Sequence, residues 1–125
     1  MEKSRFDIIS DLFKLSNVIS ESLKLAESLA GKSSGSDETD CKDICRNIRY
    51  NLKPLPFLLA GIREYVTEHE DKELARKFAE LHDDTKRLHG ICSKYADLNK
   101  AAFRTGVAYL SMEVIRQYFF PEKEQ

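Results

Sequence analysis

No uninterrupted apolar stretch in this 125-residue chain approaches the roughly 18 residues that a membrane span requires. Charge of one sign is lacking as well. Twenty basic and 21 acidic side chains leave a net charge of −1, so no global field draws in nucleic acid or an anionic membrane. Cysteine is sparse and odd in number, three in all, and the N-terminal MEKSRFDIIS is charged rather than apolar. These features predict free thiols in a reducing, intracellular setting, cytoplasmic and at most peripheral to a membrane. Myristoylation and prenylation signals are missing. So are a glycine-rich phosphate loop and a Ser-His-Asp order. Asp83 and Asp84 are adjacent, so on a helix they point apart and cannot act as paired carboxylates. The sequence therefore predicts no enzymatic activity, no cofactor and no small-molecule substrate.

What the sequence has is helical periodicity, four times over. Apolar residues recur every three or four positions, which is the period of one helix face and not of a strand. The first stretch, Phe6 to Ala30, carries Ile8, Leu12, Leu15, Ile19, Leu23, Ala26 and Leu29. Ser4 and Asp7 stand where a cap and a dipole-matched acid belong, and Gly31 stands where a left-handed C-terminal cap ends a helix. Residues 31–40, GKSSGSDETD, read as a flexible acidic loop with phosphorylatable hydroxyls at Ser33, Ser34, Ser36 and Thr39. The second stretch starts at Asp40 as cap and reaches Val66 through Ile48, Leu52, Leu59 and Ile62. Pro54 and Pro56 lie inside it, yet the stripe keeps phase across them, which predicts a proline-kinked helix. The third stretch, Lys72 to Ala96, carries Leu74, Phe78, Leu81, Leu88 and Cys92. The fourth begins near a possible cap at Asn99. It shows two apolar rows, Phe103/Val107/Leu110/Val114/Tyr118 and Ala108/Met112/Ile115/Phe119. Short connections favour antiparallel neighbours, so the fold class is all-α: one domain over residues 1–125, an antiparallel up-down-up-down four-helix bundle with a short tail at 121–125. Leu12, Ile19, Ile48, Leu52, Leu59, Leu81, Leu88, Val107 and Val114 are the expected core.

Three constellations carry possible chemistry. Cys41 and Cys45 are one helical turn apart, as are His89 and Cys92, and four such side chains could hold zinc. All three cysteines already lie on apolar stripes, however, where free cysteine packs as a small hydrophobe. The segment Lys86-Arg87-Leu88-His89-Gly90 resembles the active helix of histidine phosphotransfer bundles, whose motif reads His-x-Leu-Lys-Gly. Lys86 falls at the phospho-accepting position, where an ammonium cannot replace an imidazole. A phosphorelay, or pseudo-phosphorelay, role using His82 or His89 is the alternative to an interaction role. The third constellation is a basic row. Lys42, Arg46, Arg49 and Lys53 are spaced four, three and four, beside the apolar stripe of the second helix. Residues 41–66 are net +3, and residues 86–116 net +4. The row predicts docking of an acidic protein segment or anionic lipid heads. Nucleic acid does not fit, because aromatics are not interleaved with it. Tyr118-Phe119-Phe120 cannot all face one core stripe, and Phe119 and Phe120 are candidate apolar anchors for a protein partner.

The middle of the chain carries a family likeness. Asp40-Cys41-Lys42-Asp43-Ile44-Cys45-Arg46 opens a long amphipathic helix with proline near Leu55. Ile62-Arg63-Glu64, an acidic turn and a helix ending in Cys92-Ser93-Lys94 follow. Over residues 40–95 this resembles the N-terminal helical bundles of plant U-box ubiquitin ligases and the related bundles of mixed-lineage kinase-like pseudokinases, HeLo-type domains and plant helper immune receptors. The resemblance implies a non-enzymatic adaptor module of a signalling or cell-death protein. Such a module would bind partner proteins or phosphoinositide-containing membrane.

Overall fold

Ser4 accepts a hydrogen bond from the Asp7 backbone amide, and the Asp7 carboxylate accepts one from the Ser4 amide. This reciprocal cap satisfies two of the donors that a helix start leaves open. It begins α1, Arg5–Ala30. The computed structural model describes residues 3–32 and 38–121. The expected loop serines Ser33, Ser34 and Ser36 and most of the tail lie outside those residues. Gly31 is not left-handed as predicted. Its φ of −81° and ψ of −7° are right-handed, its amide donates to the Glu27 carbonyl and the Lys32 amide to that of Leu29, three residues back, so the last turn simply tightens.

The second stretch is helical from Glu38, so Asp40 lies in the first turn and does not cap it. Residues 38–40 therefore belong to the helix and not to the loop. Regular hydrogen bonding lapses at residues 52–54, dividing the stretch into α2, Glu38–Asn51, and α3, Leu55–His69. Pro54 has no amide to donate, and Lys53 and Leu55 donate to carbonyls only three residues back. The apolar stripe crosses the break intact, since Ile48, Leu52, Leu55, Leu59, Ile62 and Val66 are all buried.

Glu70 turns the chain sharply with φ 47° and ψ 43°. Asp71 then caps α4, Lys72–Ala79, by accepting from the Leu74 amide at 3.2 Å. The predicted single third helix is in fact two. It breaks at Glu80 and Leu81 without proline or glycine, where Leu81 donates to Phe78 three residues back. It resumes as α5, His82–Cys92, ending four residues before the predicted limit. A 3₁₀ turn at Ala96–Leu98 leads into α6, Asn99–Phe119. Leu98 occupies the cap position there, and Asn99 is already helical.

Every described element is a helix, and there is no strand among the described residues. The helices form four segments: α1, α2 with α3, α4 with α5, and α6. One core runs between them, from Ile8 and Leu15 of α1 through Leu52 and Ile62 to Phe78, Leu88 and Met112. Of the residues expected inside, Leu12, Ile19, Ile48, Leu52, Leu59 and Leu88 are buried, and Leu81 is half-buried. Val107 and Val114 are a correction, being 41% and 63% exposed. Helix α6 turns its other row inward, and Ala101, Thr105, Ala108, Ser111, Met112 and Ile115 are buried. Small residues on that face let the neighbouring helices approach closely, and the opposite row of α6 is left exposed.

Candidate docking site

The predicted basic row does not act as one unit. Lys42 Nζ lies 3.7 Å from Glu38, and Arg46 pairs with Asp43 at 2.5 Å. Both are one-turn surface pairs, so the first half of the row is neutralised within α2. Arg49 instead donates to the backbone carbonyl of Asp97 at 3.1 Å, in the turn before α6. Lys53 Nζ lies 5.6 Å from the centroid of the Tyr50 ring. These two residues lean towards α6, where Lys100 and Arg104 meet them.

The result is a cleft of about 240 Å³ lined by Arg49, Lys53, Lys100 and Arg104, with Leu52 and Ala101 as its apolar floor. Among the described residues, none of the four cations pairs with a carboxylate. Four like charges converging without counterions repel one another and favour an anionic ligand. Sequence reasoning found Arg49 and Lys53 but missed Lys100 and Arg104, which stand some fifty positions away. The only signal for them was the net +4 of residues 86–116.

Next to this cleft runs an apolar ridge. Along α6, Phe103, Val107, Leu110, Val114 and Tyr118 are exposed by 73, 41, 54, 63 and 63%. They share one face of the helix, spaced four, three, four and four. A second groove, of about 220 Å³, lies between this ridge and α3, walled by Pro56, Leu59, Ala60, Arg63, Phe103, Arg104 and Val107. Arg104 lines both clefts, so the charged pocket and the apolar groove lie side by side. Arg63 borders the groove and donates to Ser111 Oγ at 3.0 Å. Phe119 and Phe120 are half-buried, and the Phe120 ring stacks over the Arg76 guanidinium at 4.3 Å. Tyr118 is the exposed member of that aromatic triplet.

The other candidate residues are occupied in the fold. Cys45 and Cys92 are buried and Cys41 half-buried. Burial pushes the Cys92 thiol up to about 11 and raises Cys45 in the same direction, which favours the neutral thiol over the thiolate a metal needs. His89 turns away from them. Its Nδ1 lies 2.8 Å from the Ala102 carbonyl, and its ring packs on Tyr109 with centroids 5.2 Å apart. No group of three or more His, Cys, Asp or Glu side chains among the described residues is placed to hold a metal. His82 is buried between Asp83, 3.0 Å from its Nδ1, and Glu113, 3.8 Å from its Nε2. Its hydrogen bond holds the Asp83 carboxyl below the usual range, and Arg116 does the same for Glu113.

A larger groove, about 270 Å³, lies between α1 and the end of α4, with exposed Phe13 in its lining. Its charged lining, Lys77 and Glu80, is of mixed sign and selects no ligand charge. No helix among the described residues is long and apolar enough to cross a membrane. Compared with known proteins, the chain matches no family model, no curated protein and no solved structure.

Proposed function

We propose that this chain is a non-enzymatic helical interaction module that binds an acidic protein segment through Arg49, Lys53, Lys100 and Arg104. One observation carries the reading: four cations from two segments line one cleft over an apolar floor, and among the described residues none of them is ion-paired with a carboxylate. An acidic ligand removes their mutual repulsion and gains charge-assisted hydrogen bonds from two guanidinium groups. The likeness to adaptor bundles of ubiquitin ligases and cell-death proteins agrees with this role. So does the engagement of His82, His89 and the cysteines in packing.

The up-down-up-down arrangement belongs to the same reading. His89 meets Ala102 and His82 meets Glu113, so α5 and α6 run in opposite senses. Arg5 meets Asp71 and Glu27 meets Arg87, so α1 and the α4–α5 segment run in the same sense. The Pro54 interruption then acts as a bend that carries Arg49 and Lys53 to the start of α6.

The test is fluorescence anisotropy with a labelled poly-glutamate peptide, at low and at physiological salt. Binding should weaken as salt rises, because screening shortens to about 8 Å at physiological ionic strength. Arg49→Glu with Arg104→Glu should abolish it while circular dichroism stays unchanged. Binding that survives this double reversal, or that is absent at low salt, overturns the proposal. If only phosphatidylserine vesicles bind, and the double reversal releases them, the ligand is lipid and the protein-docking form of the proposal is wrong.

A further inference from the structure

We infer that the acidic partner is an amphipathic helix, seated along the exposed face of α6 with its apolar side in the groove between α6 and α3. The inference rests on the docking reading above and adds the shape of the partner to its charge. Phe103 to Tyr118 covers sixteen residues, a rise of about 22 Å at 1.5 Å per residue, which matches a partner helix of about four turns. A ridge of side chains spaced by three and four beside a groove is the surface into which another helix interdigitates. A peptide strand would need an open sheet edge, and the described residues contain no strand.

Charge fixes which helix. The cations lie at the N-terminal end of the ridge, Lys100 and Arg104, and along its α3 flank, Arg63, with Arg104 lining both the charged cleft and the groove. On the α5 edge Arg116 pairs with Glu113, and Asp83 lies beside His82, so charge there is of mixed sign. A helix with leucine-like residues on one face and carboxylates along one edge complements the α3 edge, where the cations have no such acidic partners among the described residues. A flat anionic membrane would call for cations along both edges of the ridge. In an antiparallel two-fold pairing of two copies, like flanks meet, so the basic α3 flank would face itself. Burying five large exposed apolar side chains supplies the non-directional part of the affinity, and the rim sets the partner's orientation.

Three labelled peptides separate the possibilities: poly-glutamate, an amphipathic helix peptide with leucines at the spacing of the ridge and glutamates on one edge, and a scramble of that peptide. Each is titrated against the full chain, against Leu110→Asp with Val114→Asp, and against Arg49→Glu with Arg104→Glu. Leu110 and Val114 are exposed, so the ridge variant should keep the unmodified thermal transition. The helix peptide should bind the unmodified chain at least about tenfold more tightly than the scramble, and the ridge variant should lose that advantage while still binding poly-glutamate. If helix and scramble bind equally and the ridge variant changes nothing, the helical partner is overturned while the acidic-partner proposal stands. If poly-glutamate also fails at low salt, the acidic-partner proposal falls with it. Sedimentation equilibrium showing a dimer dispersed by the ridge variant would assign this face to a second copy and overturn the inference. Phosphatidylserine vesicles bound in a ridge-dependent manner, with no peptide preference, would overturn it in favour of a membrane.

Discussion

Asp71 shows how much one side chain can do at a chain reversal. It follows left-handed Glu70, caps α4 through Leu74, and receives the Arg5 guanidinium at 2.7 Å from the start of α1. Arg5 also reaches Glu73 at 2.5 Å, so one arginine ties the start of α1 to the first turn of α4. The Arg5 hydrogen bond holds the Asp71 carboxyl below its ordinary range, despite the opposing effect of burial. A carboxyl lowered in the fold stabilises the protein fully above its unfolded value, about 3.9, and loses that contribution as pH falls through its folded value. Asp71→Asn keeps an oxygen to cap Leu74 but removes the charge. Its thermal midpoint should therefore lie below that of the unmodified protein at pH 7, and the gap should close as pH falls below about 4. A gap independent of pH would mean that the charge of Asp71 contributes nothing. Asp71→Ala also removes the cap and should cost about 1 kcal/mol from that loss alone. None of this was legible in the sequence, where the acidic turn around residues 67–71 showed no hint of its partner 66 positions away.

The helical elements were legible where one face alone is apolar, and misread where two are. In α1 and across α2 and α3 a single stripe fixed the buried side, and Ile8, Leu15, Ile48 and Ile62 are inside as their spacing requires. Helix α6 has two rows, and periodicity states the period without choosing the phase. The expected core took Val107 and Val114 from the bulky row. The structure buries the row of small residues, because helix packing rewards close approach. Gly106 shows the same closeness. A Cβ there would lie 3.1 Å from Cε1 of His89, the imidazole that α5 presses against α6. Gly61 and Gly90 have nothing within 4 Å of an added Cβ. Gly61→Ala and Gly90→Ala should thus each stabilise by about 0.5–1 kcal/mol, the helix-propensity gain over glycine. Gly106→Ala must push the His89 ring, which is hydrogen-bonded to the Ala102 carbonyl, so its gain should be smaller or reversed. Urea unfolding of the three variants ranks them directly, and an equal gain at Gly106 would show that the α5–α6 contact is looser than described.

At the scale of the whole molecule, two kinds of apolar surface stand in one small bundle, and they should answer substitution differently. Leu52 is fully buried at the junction of α2 and α3, where it both closes the core and floors the charged cleft. Val114 is mostly exposed on the outer ridge of α6. Leu52→Ala leaves a cavity that the surrounding segments fill only in part, and should cost about 2–5 kcal/mol in urea unfolding. Val114→Ala removes methyl groups that already face water, and should shift stability by less than about 0.5 kcal/mol. The contrast reaches beyond stability, because a fold that gained nothing from the ridge would still retain it if the ridge served a partner. A large cost at Val114 that grows with protein concentration would show the ridge buried between copies in solution. A large cost independent of concentration would place it inside the monomer and remove the docking face. The predicted small effect leaves the ridge as surface the bundle does not need for its own core, next to cations it does not neutralise. Charge and exposed apolar area then lie side by side along α6, from Lys100 and Arg104 to the ridge that starts at Phe103.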